Sequence, residues 1–244
     1  MAEGTRVAMW SGPRNISTAM MYSFDNRPDC FATDEPLYAN YLLSTKTAHP
    51  DANEIIDYYQ TDLKSIISHL TGPIPDDMPV WYQKHMSHHV AEDADLDWLD
   101  GLTNCFLIRD PREVLLSLSN VTDVVNLWVM GLPQQVRILS HVVETTGKEP
   151  PIIDARDALE DPVGTLSALC ARLEIEYMDE MVSWDPGPRD CDGIWAKHWY
   201  GSVWKSAGFS PYTPREGQLS PEHDSVLEEA IPLYDEMWSR RLGA

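Results

Sequence analysis

Trp10-Ser11-Gly12-Pro13-Arg14-Asn15-Ile16-Ser17-Thr18 is the stretch on which the fold turns. Before it, residues 6–10 read as a short strand with Val7 and Met9 on one face. Ser11 to Arg14 then break the pattern, and Met20, Met21 and Phe24 recur at helical spacing. The unit is strand, tight loop, helix. Such a loop turns backbone N–H groups toward one point, where the helix dipole adds partial positive charge. Ser17 and Thr18 bring hydroxyl donors, and Arg14 brings a fixed charge. Gly12, Pro13, Arg14, Asn15, Ile16, Ser17 and Thr18 therefore form a candidate phosphate cradle. It is not the G-x-x-x-x-G-K-[ST] loop, because it lacks the second glycine and the lysine. An ordinary N-capped turn accounts for the same residues, so the loop needs a second signal.

Outward from the loop, strand-like and helix-like stretches alternate. Short strands are predicted at 30–33, 80–84, 104–108 and 151–154. Amphipathic helices are predicted at 52–70, 93–99, from the Pro111 start through Glu113 to Met130, at 133–144, 162–173 and 221–241. Residues 71–79 hold glycine and three prolines and read as a loop. Residues 184–214 are irregular and rich in Trp, Gly and Pro. Strands alternating with helices imply an α/β fold: a three-layer sandwich of the P-loop type, its central sheet mostly parallel with helices on both faces. No linker divides the chain, so residues 1–244 are read as one domain. In such sheets ligands bind at the carboxyl ends of the strands, where the loop at 11–18, Glu35, Lys84 to His89 and Arg109 all fall.

Composition narrows the partners. The 244 residues carry 39 acidic and 18 basic side chains, a formal charge of −21. No broad nucleic-acid surface is expected, since that needs a basic stripe, and anionic membranes are disfavoured for the same reason. An anionic ligand can bind only where arginine, lysine and backbone N–H groups gather against the general field. Hydrophobic residues make up 43% of the chain, enough for a sizeable core. The four cysteines are widely spaced with no CxxC pair, which points to neither a disulfide framework nor a metal site. No apolar run reaches the length of a membrane span or of a signal peptide. The expected location is the cytoplasm.

The second signal is Phe106-Leu107-Ile108-Arg109-Asp110-Pro111-Arg112, with Ser117 eight residues after Arg109. Arg109 leaves a strand end as a bidentate donor suited to phosphate. A strand-end salt bridge to an acid explains it equally well.

Together the two signals resemble the sulfotransferases that use 3′-phosphoadenosine 5′-phosphosulfate (PAPS). That superfamily carries a 5′-phosphosulfate loop after its first strand and an R-x-P-x-x-x-x-x-S segment for the 3′-phosphate, which Arg109, Pro111 and Ser117 match. Asp157-Ala158-Leu159-Glu160-Asp161-Pro162 is similar to the family's D-L-x-x-D-P region. The resemblance runs from Val7 to Phe209. It is nearest to a bacterial branch whose loop reads WSGPRNIST, related to a domain that plants fuse to an aminotransferase-like protein.

The resemblance implies transfer of a sulfuryl group from PAPS to an acceptor hydroxyl, on a small molecule rather than a protein, without a metal. Two alternatives stay open: a P-loop-type phosphotransferase, and a noncatalytic module binding PAPS or 3′,5′-ADP. The chain departs from the animal cytosolic enzymes, whose loop has lysine where Arg14 stands. Their K-x-H pattern is also absent, since Lys84 is followed by His85 and Met86. In the tyrosylprotein and trehalose branches an acid after the second strand serves as base, and Glu35 resembles it. Glu35 is the leading candidate for the general base, with His85 next and His88 behind it. A solvated or capping acid is the plain reading of Glu35. Lys84 is read as the cation that offsets charge on the bridging oxygen as 3′,5′-ADP leaves, with a surface lysine as its plain alternative. The Trp-rich segment at 184–204 resembles the late loop that covers the nucleotide, with Trp195 for stacking on adenine and Lys197 as a basic contact. A packed aromatic core segment accounts for it equally. Neither the acceptor nor the oligomeric state is legible.

Overall fold

The computed structural model describes residues 4–122 and 124–243. The expected domain bounds of 1–244 thus extend slightly beyond it, and the expected 113–130 helix passes through Asp123, outside the described residues. Five strands form one sheet in the order β2-β3-β1-β4-β5, all parallel. These are β1 (Thr5–Ser11), β2 (Cys30–Asp34), β3 (Val80–Met86), β4 (Thr103–Ile108) and β5 (Ile152–Asp154). An all-parallel sheet is covered on both faces, which is why β3 is buried at every position, polar ones included.

Alternate residues of the strands feed two cores. Val7, Met9, Val80 and Tyr82 pack with α1 (Ser17–Asp25) on one face. Ala8, Trp10 and Trp81 pack on the other. The first face also receives α2 (Tyr38–Thr45) and α3 (Ala52–Tyr58). The second receives α4 (Leu63–Leu70). The single helix expected at 52–70 is thus two. Tyr59 is extended, the Gln60 side chain accepts from the N–H groups of Thr61 and Asp62, and Asp62 caps a fresh helix by accepting from Ser65. At 93–99 only a 3-10 turn forms, at Asp97–Gly101.

After β4 the chain forms α5 (Pro111–Leu118), α6 (Leu127–Met130) and α7 (Leu132–Thr146). The expected helix through Met130 stops early: α5 ends at Leu118, and Asn126 caps α6 by accepting from Val129. Two further helices, α8 (Ala155–Glu160) and α9 (Pro162–Arg172), follow β5, each capped by an aspartate. The short α10 (Ala196–Trp199) lies in the Trp-rich segment, and α11 (Pro221–Trp238) closes the chain. In sequence α2 and α8 were missed, being short and flanked by polar residues.

The order of strands positions the site. The chain leaves β1 for β2 and β3 on one side and then crosses to β4 on the other. The loop after β1 therefore lies between the ends of β3 and β4, at the switch point where open parallel sheets bind ligands.

Among the described residues no helix is long and apolar enough to cross a membrane. No group of three His, Cys, Asp or Glu side chains among them is placed to hold a metal ion.

Candidate active site

The loop after β1 is braced from beneath. Gln135 on α7 donates to the carbonyls of Trp10 (2.9 Å) and Leu107 (3.1 Å). Asn15 turns inward and donates to Leu107 O at 2.6 Å, and Ser87 donates to Ser11 O at 3.1 Å. Gly12 packs against Met130, whose carbonyl oxygen a Cβ would strike. Arg14 and Ile16 both adopt left-handed backbone, with φ of 60° and 43°. That conformation is strained for a non-glycine residue, most of all a β-branched one, and strain of this kind is held at functional loops.

Ile16 is the N-cap of α1 and makes no side-chain capping bond. The first-turn N–H groups of a helix have no partner inside the helix, so this end keeps donors for a ligand. The loop is thus a helix start without a side-chain cap, as at the starts of α2 and α3. Pro13 sits at the loop's crest, half-buried, with Ser17 buried and Thr18 half-buried behind it.

Three arginines meet beside the loop. Arg14 donates from Nε to the Ser117 hydroxyl at 2.9 Å, linking the loop to α5. Arg109 donates to the carbonyl of Arg14 at 3.1 Å. Burial, then the positive charges of Arg215 and Arg109, push the Arg14 pKa down. One carboxylate answers this cluster. Glu113 accepts both Nε and Nη2 of Arg109, at 3.0 and 2.7 Å, and a bond from Tyr212 at 2.6 Å. Burial would raise Glu113, but the bonds from Tyr212 and Arg109 outweigh it and hold it ionised. The strand-end ion pair considered for Arg109 thus exists, and it lies beside two further arginines, Arg14 and Arg215. Arg215 was missed in sequence. As the one basic residue between Lys205 and His223 it was the available signal.

On the other flank, β2 and β3 end side by side, with Asp34 in register with Lys84. Lys84 is buried and donates to Asp34 (2.8 Å), Glu35 (2.6 Å) and the Tyr200 hydroxyl (2.6 Å). It is no surface lysine. Burial lowers its pKa, but Asp34 and Glu35 pull harder and hold it above its ordinary value. Glu35 has a φ of 40° and keeps 12% of its side chain exposed. Burial raises its pKa, Lys84 opposes, and Asp34 adds to the rise. A carboxylate held this way is a better proton acceptor than an ordinary one.

His85 does not match its expected role. His85 alternates away from Lys84 onto the opposite face of the sheet, where its ring stacks on Trp10 at 4.3 Å and Nε2 meets Gln83 at 3.2 Å. Burial pushes its pKa down to about 3. It faces the second core and is corrected to a packing residue. His89 lies nearer, with Nε2 4.0 Å from Glu35, stacked between Tyr38 and Tyr41. Burial holds His88 near pKa about 4 and His89 well below its ordinary range.

The Trp-rich segment also needs correction. Trp195 is 2% exposed and packs on Tyr38 and Tyr59 within the first core, so its face is not open to adenine. Lys197 points outward from α10 to Asp51 (2.8 Å) and Glu54 (3.5 Å) on α3 and its cap, so its charge is spent at the surface. The packed-aromatic reading holds. What the segment sends into the site is Tyr200, which sequence reasoning missed.

A family model described as a sulfotransferase domain matches residues 5–241. The chain is 35% identical over 237 residues to Branched-chain-amino-acid aminotransferase-like protein 1 of Arabidopsis thaliana, covering 96% of this chain and 42% of that protein. It is 33% identical over 226 residues to the plant's protein 2 of the same name, covering 93% and 40%. The chain thus spans about two fifths of the length of these curated relatives. Among solved structures, a sulfotransferase from Alicyclobacillus acidocaldarius superimposes with a TM-score of 0.56 at 9% identity, covering 98% of this chain and 97% of that one. The sulfotransferase domain of the Synechococcus PCC 7002 olefin synthase does so with a TM-score of 0.51 at 11% identity, covering 94% and 96%. At these identities the two structures speak for the fold.

Proposed function

Because the chain belongs to the sulfotransferase family, we propose that it moves a sulfuryl group from PAPS to a hydroxyl of a small-molecule acceptor. The observation that carries this reading is the pairing, at the carboxyl ends of the strands, of a cationic cradle with a buried acid–lysine cluster. Three arginines gathered at one place in a chain of net charge −21 suit an anionic ligand. The open N-terminus of α1 and the arginine group beside Ser117 supply two anion sites, one for each end of a 3′,5′-bisphosphorylated nucleoside.

The donor supplies an electrophilic sulfur whose leaving group is 3′,5′-ADP. The N–H groups at the start of α1, with Ser17, Thr18 and Arg14, would hold its 5′-phosphosulfate. Arg109, Ser117 and Arg215 would hold its 3′-phosphate. Glu35 would take the acceptor's proton as the acceptor oxygen bonds to sulfur and the sulfur–oxygen bond to the 5′-phosphate breaks. Lys84 would offset the negative charge that the departing phosphate oxygen gains. His85, on the far face of the sheet, has no part in the step.

The test is mass spectrometry of a metabolite extract incubated with the protein and PAPS. The expected result is a metabolite heavier by one sulfuryl group, formed only with both present. PAPS left intact across extracts of varied source, with no sulfated product, would overturn the reading.

A further inference from the structure

An ammonium has three N–H donors, and Lys84 spends all three inside the cluster, on Asp34, Glu35 and Tyr200. The three partners are not equivalent. Asp34 exposes 1% of its side chain, accepts from the Tyr200 hydroxyl at 2.7 Å and takes the Gly193 N–H at 3.0 Å. Tyr200 donates to Asp34 while accepting from Lys84. Glu35 alone of the two acids keeps a face toward the open end of the sheet.

Two carboxylates thus share one cation in a buried place. One negative charge is in excess, and burying it unpaired is costly. With Asp34 fully enclosed by donors, the excess falls on Glu35. A structural lysine needs one acid, and the second is then a burden to the fold.

We propose that Asp34 and Tyr200 are positioning residues for the transfer step: Asp34 draws Lys84 away from Glu35 and so leaves Glu35 a base only partly neutralised by its cation, and Tyr200, by donating to Asp34, tempers that pull. The Trp-rich segment then has its place in the reaction, since Gly193 and Tyr200 both come from it and both fasten on Asp34. The proposal rests on Glu35 being the base.

Five groups face Glu35: Lys84 from β3, Asp34 from β2, Tyr200 after α10, Tyr38 at the start of α2 and His89 from the turn after β3. Only Lys84 and Asp34 among them are charged at neutral pH, because burial keeps His89 unprotonated and both phenols un-ionised. Removing the Asp34 charge leaves Lys84 to Glu35 alone and makes Glu35 a weaker base. Removing the Tyr200 hydroxyl takes a donor from Asp34, strengthening its hold on Lys84, and removes a hydrogen bond that favours the ionised Glu35, so both effects make Glu35 a stronger one.

The experiment is a carboxyl titration of carbon-13-labelled glutamate by NMR, assigned with Glu35→Gln, in the wild type, Asp34→Asn and Tyr200→Phe. Asp34→Asn is expected to lower the Glu35 pKa by about 1 unit, a tenfold loss of proton affinity. Tyr200→Phe is expected to raise it by about half a unit. Shifts of opposite sign are not produced by loosened packing. An unchanged or raised value in Asp34→Asn overturns the proposal. So does an unchanged or lowered value in Tyr200→Phe, which decides alone should Asp34→Asn fail to fold. Full sulfuryl transfer by Glu35→Gln, read in a separate assay, would overturn the base itself. The two failures are thereby distinguished.

Discussion

The arginine cleft and the acid–lysine cluster both lie at the carboxyl ends of the strands and are built on opposite plans. In the cleft, Arg14, Arg109 and Arg215 gather around Glu113, the carboxylate among the described residues that pairs directly with them, and Arg14 and Arg215 reach solvent. In the cluster, Asp34 and Glu35 outnumber Lys84, and the cation is sealed in. An excess of exposed cation in an acidic protein attracts and holds an anion. An excess of buried acid repels that anion and accepts a proton. On the proposed reading the division separates binding from chemistry, and each side should be removable without the other.

The sharpest break falls on the cluster. Glu35→Gln keeps the shape and removes the base, and it should cut sulfuryl transfer by roughly 10²–10⁴-fold. Its affinity for 3′,5′-ADP, measured by calorimetry, should stay that of the wild type. Loss of both together would merge the two regions into one.

The next falls on the cleft. Arg109→Ala should weaken 3′,5′-ADP by about 2–5 kcal/mol, the range for a truncated charge-assisted pair, and should hardly alter 5′-AMP. Equal weakening of both nucleotides would place the 3′-phosphate elsewhere.

Much of this division was legible in the sequence, and the reasons differ by region. The loop and Arg109 with Ser117 are local patterns, set by a strand end and a helix start. Their spacing carries over directly to space. The sheet was legible because apolar runs alternated with helical periodicity. The cluster was half legible. Glu35 and Lys84 lie at strand ends, but Asp34–Lys84–Tyr200 joins three distant stretches and leaves no spacing to read. His85 was misplaced because strand alternation, not proximity in sequence, decides the face: one residue past Lys84 is the far side of the sheet. Trp195 and Lys197 were misplaced because aromatic richness marks a core as readily as a stacking surface.

The smallest effect sharpens the comparison through pH. His85 and His88 titrate near about 3 and about 4 in the folded chain, against an ordinary value of 6.5. Above 6.5 both are neutral folded or unfolded, and their contribution to stability is fully present. As pH falls below 6.5 the unfolded chain takes up protons that the folded chain refuses, and stability drains until the folded values are passed. Urea midpoints should therefore fall between pH 7 and pH 5, and fall less in His88→Asn than in the wild type. Equal falls would mean that His88 is protonated freely in the folded protein.

The central claim is that the cleft holds a nucleoside phosphorylated at both ends without help from a metal. Thermal unfolding with 3′,5′-ADP, 5′-AMP or ATP, each with and without magnesium, tests it most directly. 3′,5′-ADP is expected to raise the Tm in the absence of magnesium, and to do so more than 5′-AMP. A rise seen only with magnesium, or with ATP and not with 3′,5′-ADP, would contradict it.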